Sequence, residues 1–171
     1  RLIALAAECG VEFGVKLTNT FPVDVTRFEL PSDEMYMSGR SLYPLTISLA
    51  KRIADEFEGH LRISFSGGAD ALNVRALVDA GIWPVTMATT LLKPGGYQRL
   101  VQVDESLSGI DDAPFSRVDL AKVSAIVDDA LTNPRYRKPV KPMPERHVGH
   151  DLPLIDCFTA PCREDCPIEQ D

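Results

Sequence analysis

No apolar run in this chain approaches the roughly 20 residues a helix needs to cross a bilayer, which excludes a helical membrane span. Positive charge is also lacking: 25 Asp and Glu stand against 18 Lys and Arg, for a net charge of -7. A nucleic-acid surface wants clustered cations, so that partner class is excluded. The short basic run from Arg135 to Lys141 has acidic neighbours and reads as solvated surface. No secretion signal is visible, and the chain opens on Arg1 rather than a methionine. Cysteine is scarce, at 4, and three of these crowd into one short loop, which fits metal ligation in a reducing compartment better than paired disulfides. The expected location is the cytoplasm. What remains is an ordinary globular composition, 44% hydrophobic and 25% charged, long enough for one domain with a real core.

The pattern along the chain alternates strand and helix. Residues 1–10 read as the tail of a helix closed by Gly10, and 11–17 as a strand running into the polar corner Thr18-Asn19-Thr20. Residues 21–33 hold two prolines and no clear period, so a loop is expected, followed by a short strand over 34–38. Apolar residues at helical spacing mark 42–57, with Ser41 as the expected cap and Pro44 tolerated in the first turn. Strand, helix and strand follow at 61–65, 71–80 and 83–88, then helices at 97–107 and 117–131. Such alternation means an α/β fold with a parallel sheet and function at the C-terminal strand ends. Residues 133–153 carry five prolines and read as an extended linker to the cysteine loop.

Three strand ends could carry chemistry. Lys16 lies inside an apolar strand, where a buried ammonium needs an anion or a reducible ring, unless it snorkels out. Ser66-Gly67-Gly68 sits between a strand and a helix, where missing Cβ atoms permit close approach of an anion to free N–H groups. A plain tight turn is the bland alternative. Thr89-Thr90 follows the next strand with hydroxyls and main-chain donors of its own, and both signals on consecutive βα units favour a phosphate site. In the last stretch, Cys157, Cys162 and Cys166 can turn toward one soft ion or cluster, and Cys166-Pro167 matches an iron–sulfur ending. A cluster wants four ligands, so an internal piece of a longer redox protein is expected. A zinc loop is the rival reading. Cys9 is expected to be a buried small hydrophobe, and His60, His147 and His150 surface residues.

The corner Lys16-Leu17-Thr18-Asn19, the turn Ser38-Gly39-Arg40-Ser41 running to Pro44, the Ser66-Gly67-Gly68 loop and Thr89-Thr90 together resemble the C-terminal half of the dihydroorotate and dihydropyrimidine dehydrogenase barrels. Residues 154–171 resemble the iron–sulfur entry of glutamate synthase small-subunit-like proteins. Both features in this order resemble the selenate reductase iron–sulfur subunit family. The resemblance implies an incomplete (β/α)8 (TIM-like) barrel over 1–132, a Pro-rich linker over 133–153 and the start of a helical 4Fe-4S domain over 154–171. It implies FMN held by Lys16, Asn19, Ser38, Gly39, Gly67, Gly68, Thr89 and Thr90, with Cys157, Cys162 and Cys166 as cluster ligands. FAD and NADPH would belong to a downstream glutamate synthase-like domain, with a molybdoenzyme or other redox subunit as partner. In those dehydrogenases a further strand separates the lysine corner from the Ser-Gly turn. Here only 20–37 intervenes, so a barrel unit is expected to be missing or collapsed. No catalytic base loop is recognisable. The expected function is electron passage between a flavin–NAD(P)H domain, clusters and a barrel-bound FMN. A degenerate barrel serving as a scaffold, or an enzyme holding a phosphorylated metabolite at the same glycines, are the alternatives.

Overall fold

The computed structural model describes residues 1–26, 32–110 and 114–137, which fall within one compact unit, Arg1–Lys138. The cysteine loop, with Cys157, Cys162 and Cys166, lies outside the described residues, as do His147 and His150.

After α1 (Leu2–Glu8) come β1 (Gly14–Leu17), β2 (Phe21–Asp24) and β3 (Glu34–Met37), then α2 (Tyr43–Glu56) and β4 (Arg62–Ser66). The chain continues through α3 (Val74–Asp79), β5 (Val85–Thr86), α4 (Gln98–Leu107) and α5 (Leu120–Thr132). β1, β4 and β5 form one parallel sheet in that order, an incomplete barrel wall with an open edge on each side among the described residues. Alternation along the strands sorts its faces. Ile63 and Phe65 are fully buried, and Val15, Leu17 and Val85 join them in the core. The helical layer supplies the other side: Tyr43, Ile47, Ala50 and Ala54 from α2, spaced three and four apart, with Leu77 from α3 and Val123, Val127 and Ala130 from α5.

The interval between β1 and α2 departs from the loop expected over 21–33. β2 pairs antiparallel with β3, Phe21 opposite Met37 and Asp24 opposite Glu34. Pro22 is compatible with this because the described pairing leaves β2 an edge strand, where a missing N–H breaks no ladder. This hairpin adds nothing to the parallel sheet, and β1 pairs directly with β4. Between β1 and β4 the described chain therefore holds a two-stranded antiparallel pair and no further strand of the parallel sheet.

Smaller departures have local causes. Ser41 does not cap α2; its Oγ donates to the Ser38 carbonyl inside a 3-10 turn at Gly39–Ser41, and Leu42 occupies the cap position. α5 begins later than expected because Asp119 Oδ1 accepts from the N–H groups of Ala121 and Lys122, both at 3.0 Å. Asp119→Ala is expected to cost about 1 kcal/mol in urea unfolding while Asp119→Asn costs far less. The proline-rich stretch starts as packed structure, since Pro134–Tyr136 forms a 3-10 turn and Tyr136 is buried. Cys9 is exposed rather than buried, because α1 buries no side chain and leaves Leu2, Ile3 and Leu5 in the open. At the N-terminal end of the sheet, the Arg62 guanidinium lies 3.9 Å over Trp83 and 5.5 Å from the Phe115 ring, and pairs with Glu12.

Candidate functional site

At the C-terminal ends of β1, β4 and β5 the loops converge on a hollow of about 40 Å³. Asn19 reaches it from β1, Gly67, Gly68 and Ala69 from β4, Met87 to Thr90 from β5, and Gly39 from the turn after β3. Six of the eight residues expected to hold a cofactor are therefore together: Asn19, Gly39, Gly67, Gly68, Thr89 and Thr90.

Lys16 and Ser38 are not in the lining. Of the two alternatives for Lys16, burial or snorkelling out, the structure shows the second, since the residue is exposed. Strand alternation gives Val15 and Leu17 to the helical layer and turns Lys16 to the opposite face, in register with Ser64. That face is polar, with Arg62, Ser64 and Ser66 on β4 and Thr86 on β5, and it is the face a closed barrel would turn inward. Ser38 is exposed on the far side of the turn from Gly39, which is buried.

Glycine is required where the loops touch. A Cβ on Gly67 would stand 2.7 Å from Thr46 Oγ1 and 2.9 Å from Thr18 Oγ1, at a backbone φ of +123°. Those two hydroxyls bond each other at 2.7 Å, which fixes the end of β1 against the buried face of α2. Thr18 N–H donates to the Ser66 carbonyl, joining the ends of β1 and β4.

The hydrogen-bond pattern sets the polarity of the hollow. Some of the carbonyls around it are engaged: Gly39 accepts from Leu42 N–H at 3.0 Å, Gly68 from Asn73 Nδ2 at 3.1 Å and Ala69 from Thr90 Oγ1 at 2.9 Å. Ala88 accepts from the N–H groups of Leu91 and Leu92. The N–H groups of Gly68, Ala69, Thr89 and Thr90 make no hydrogen bond among the described residues, and the carbonyls of Gly67, Met87, Thr89 and Thr90 accept none there. The free N–H groups that follow the glycine pair and the end of β5 are donors an anion can use. Since about 10–15 Å³ holds one water, the hollow takes roughly three water-sized spheres, the scale of one phosphoryl group.

Thr90 has a different role from the one expected. Its hydroxyl is spent on Ala69, so only its N–H is free for a ligand. Asn73 was not foreseen. It is 3% exposed, Nδ2 holds the Gly68 carbonyl, and Oδ1 accepts from Asp70 N–H at 2.8 Å, clamping the glycine loop to the start of α3. Its place just before an apolar helical run was the only signal for it.

A family model described as "Oxidoreductase YgfK, N-terminal TIM-barrel domain" matches residues 1–138. The chain belongs to this family. Two curated relatives in the YgfK family, from Escherichia coli strain K12 and from Escherichia coli O157:H7, are each named "Putative oxidoreductase YgfK". Both are 48% identical over all 171 residues of this chain, which spans 17% of the length of each. No solved structure matches it. The YgfK family description agrees with the α/β architecture. Among the described residues no cluster of three or more His, Cys, Asp or Glu could hold a metal, and no helix is long and apolar enough to cross a membrane.

Proposed function

We propose that this chain contributes an FMN-binding barrel wall to a multidomain iron–sulfur flavoprotein oxidoreductase. The observation that carries the proposal is a hollow of single-phosphate size at the ends of three parallel strands, lined by Gly68, Ala69, Thr89 and Thr90, whose N–H groups have no partner among the described residues. Gly68, Ala69, Thr89 and Thr90 would hold the phosphate of FMN through those groups. Gly67 and Gly68 would let it approach the main chain, and Asn73 would keep the loop in place. Lys16 stands away from the hollow on the polar face of the sheet, where it would meet the reduced flavin anion rather than the phosphate. FMN when bound supplies the redox step, and the chain supplies position and electrostatics.

Cys157, Cys162 and Cys166 would ligate a 4Fe-4S cluster together with a ligand from elsewhere in the polypeptide. FAD and NADPH would bind a glutamate synthase-like region downstream, with a molybdoenzyme or another redox subunit as partner in the cytoplasm. Selenate is one candidate for the terminal acceptor.

The test is the absorbance and flavin content of the intact protein, purified without oxygen. FMN released on denaturation in equimolar amount, with a brown cluster absorbance lost in Cys166→Ser, is the expected result. An intact protein that neither releases FMN nor takes it up on reconstitution refutes the barrel's part in the proposal. The scaffold reading has one observation in its favour, the β2–β3 pair that stands between β1 and β4 outside the parallel sheet. It predicts cluster absorbance without any bound FMN.

A further inference from the structure

We propose that Arg40, Asp70 and Arg135 form an adjustable counter-ion for the phosphate cradle, tuned to a phosphate monoester carrying two negative charges. The inference rests on the anion reading of the hollow and adds to it the source of the charge.

None of the residues lining the hollow is charged. Main-chain amides supply partial charges only, and a dianion taken out of water needs more than that. The nearest candidates in the chain stand one residue beyond the lining on two sides. Arg40 follows Gly39, and Asp70 follows Ala69. Arg40 Nη2 lies 3.4 Å from Asp70 Oδ2, longer than the 2.7–2.9 Å of a strong charge-assisted bond, and the arginine side chain is 42% exposed. Arg40 is thus held loosely at the rim and is free to turn.

Asp70 has a second cation behind it. Arg135 Nη2 lies 3.9 Å from Asp70 Oδ1, and the buried Nε and Nη2 atoms of Arg135 have no hydrogen-bond partner among the described residues. No other carboxylate lies in ion-pair range of either arginine among the described residues. One carboxylate therefore faces two guanidiniums, leaving one positive charge in excess beside the cradle. Asp70 is fixed by its own bond from Leu72 N–H at 2.9 Å, so it stays with the buried Arg135 when Arg40 leaves. Arg40 then turns to the phosphate, and Arg135 acts at a distance, as a positioning residue, by keeping Asp70 neutralised. A diester, with one charge, gains less from this exchange than a monoester.

FMN and riboflavin differ only in the phosphate, so the ratio of their dissociation constants on the intact, flavin-stripped protein reports the phosphate contribution. Arg40→Ala is expected to weaken FMN about tenfold and leave riboflavin unchanged. Asp70→Asn keeps the acceptor for Leu72 N–H but releases Arg40, so FMN should tighten severalfold. Arg135→Gln should weaken FMN although it touches no ligand, and the Asp70→Asn, Arg135→Gln double variant should bind FMN at least as tightly as the wild type. The proposal is overturned if Arg40→Ala leaves the ratio unchanged, or if Asp70→Asn weakens FMN and riboflavin alike, which is the mark of a structural role. If Asp70→Asn does not fold by circular dichroism, Arg40→Ala and Arg135→Gln decide. A wild type that binds FMN and riboflavin equally well refutes the phosphate cradle itself, a separate outcome.

Discussion

Gly68→Ala is expected to abolish FMN binding and to cost on the order of 3–5 kcal/mol of stability. The new Cβ would stand 2.3 Å from the Gly39 carbonyl oxygen and 2.9 Å from both its carbon and Tyr43 Cβ. Two of those atoms are backbone, so no side-chain rotation relieves the contact. Gly68 also has φ near +90°, a conformation a side chain resists. The turn bearing Gly39 must move off the glycine loop, and the hollow opens where Gly39 lines it. Gly95→Ala provides the comparison. Its φ is +100°, but the nearest atoms are the flexible Arg99 side chain at 3.5 and 3.6 Å. It should lose about 1–3 kcal/mol to backbone strain and keep FMN. Urea unfolding and an FMN titration on both variants check this, and equal FMN affinities would refute the close-approach account.

The second large effect concerns the packing beneath the site. Tyr43 is 1% exposed, stacks on Tyr136 with ring centroids 4.8 Å apart, and meets Phe65 at 5.5 Å. Tyr43→Ala is expected to cost about 3–5 kcal/mol, a large share of the roughly 5–15 kcal/mol that holds a domain folded. The phenols add a pH dependence. Burial pushes the Tyr43 hydroxyl far above its usual range, with the neighbouring Tyr136 reinforcing it, and burial raises Tyr136 as well. Both stay protonated in the fold while the unfolded chain releases its protons near pH 10. The stabilisation is complete below that pH and is lost above it, by up to about 1.4 kcal/mol per pH unit for each phenol. Tyr43→Phe should flatten that slope above pH 10 in urea unfolding, and an unchanged slope would place the titration elsewhere.

Several features were legible because they depend on chain chemistry alone. Two adjacent glycines between a strand and a helix mark a place where main chain meets main chain, and Gly67 and Gly68 do so. The apolar spacing of α2 and α5 fixed which faces they bury. Whether Lys16 is buried or exposed stayed open because an apolar flank does not say which face of a strand a residue takes. That depends on where the helices pack, and they claim Val15 and Leu17. The hairpin was missed because Pro22 reads as a strand breaker until the strand is known to lie at an edge. Asp70, Asn73 and Arg135 were out of reach for a further reason. Their partners lie on separate elements, Arg135 beyond α5 and Arg40 before α2, and only the folded chain brings them together.

The hydrogen bonds from Thr90 to Ala69, from Asn73 to Gly68 and from Thr18 to Ser66 have a consequence for selectivity. With its walls already tied to one another, the socket forfeits little chain freedom when a guest arrives, which favours tight binding from few contacts. In the proposed site the same rigidity would act as a sieve by radius, favouring tetrahedral oxyanions the size of phosphate over bulkier groups.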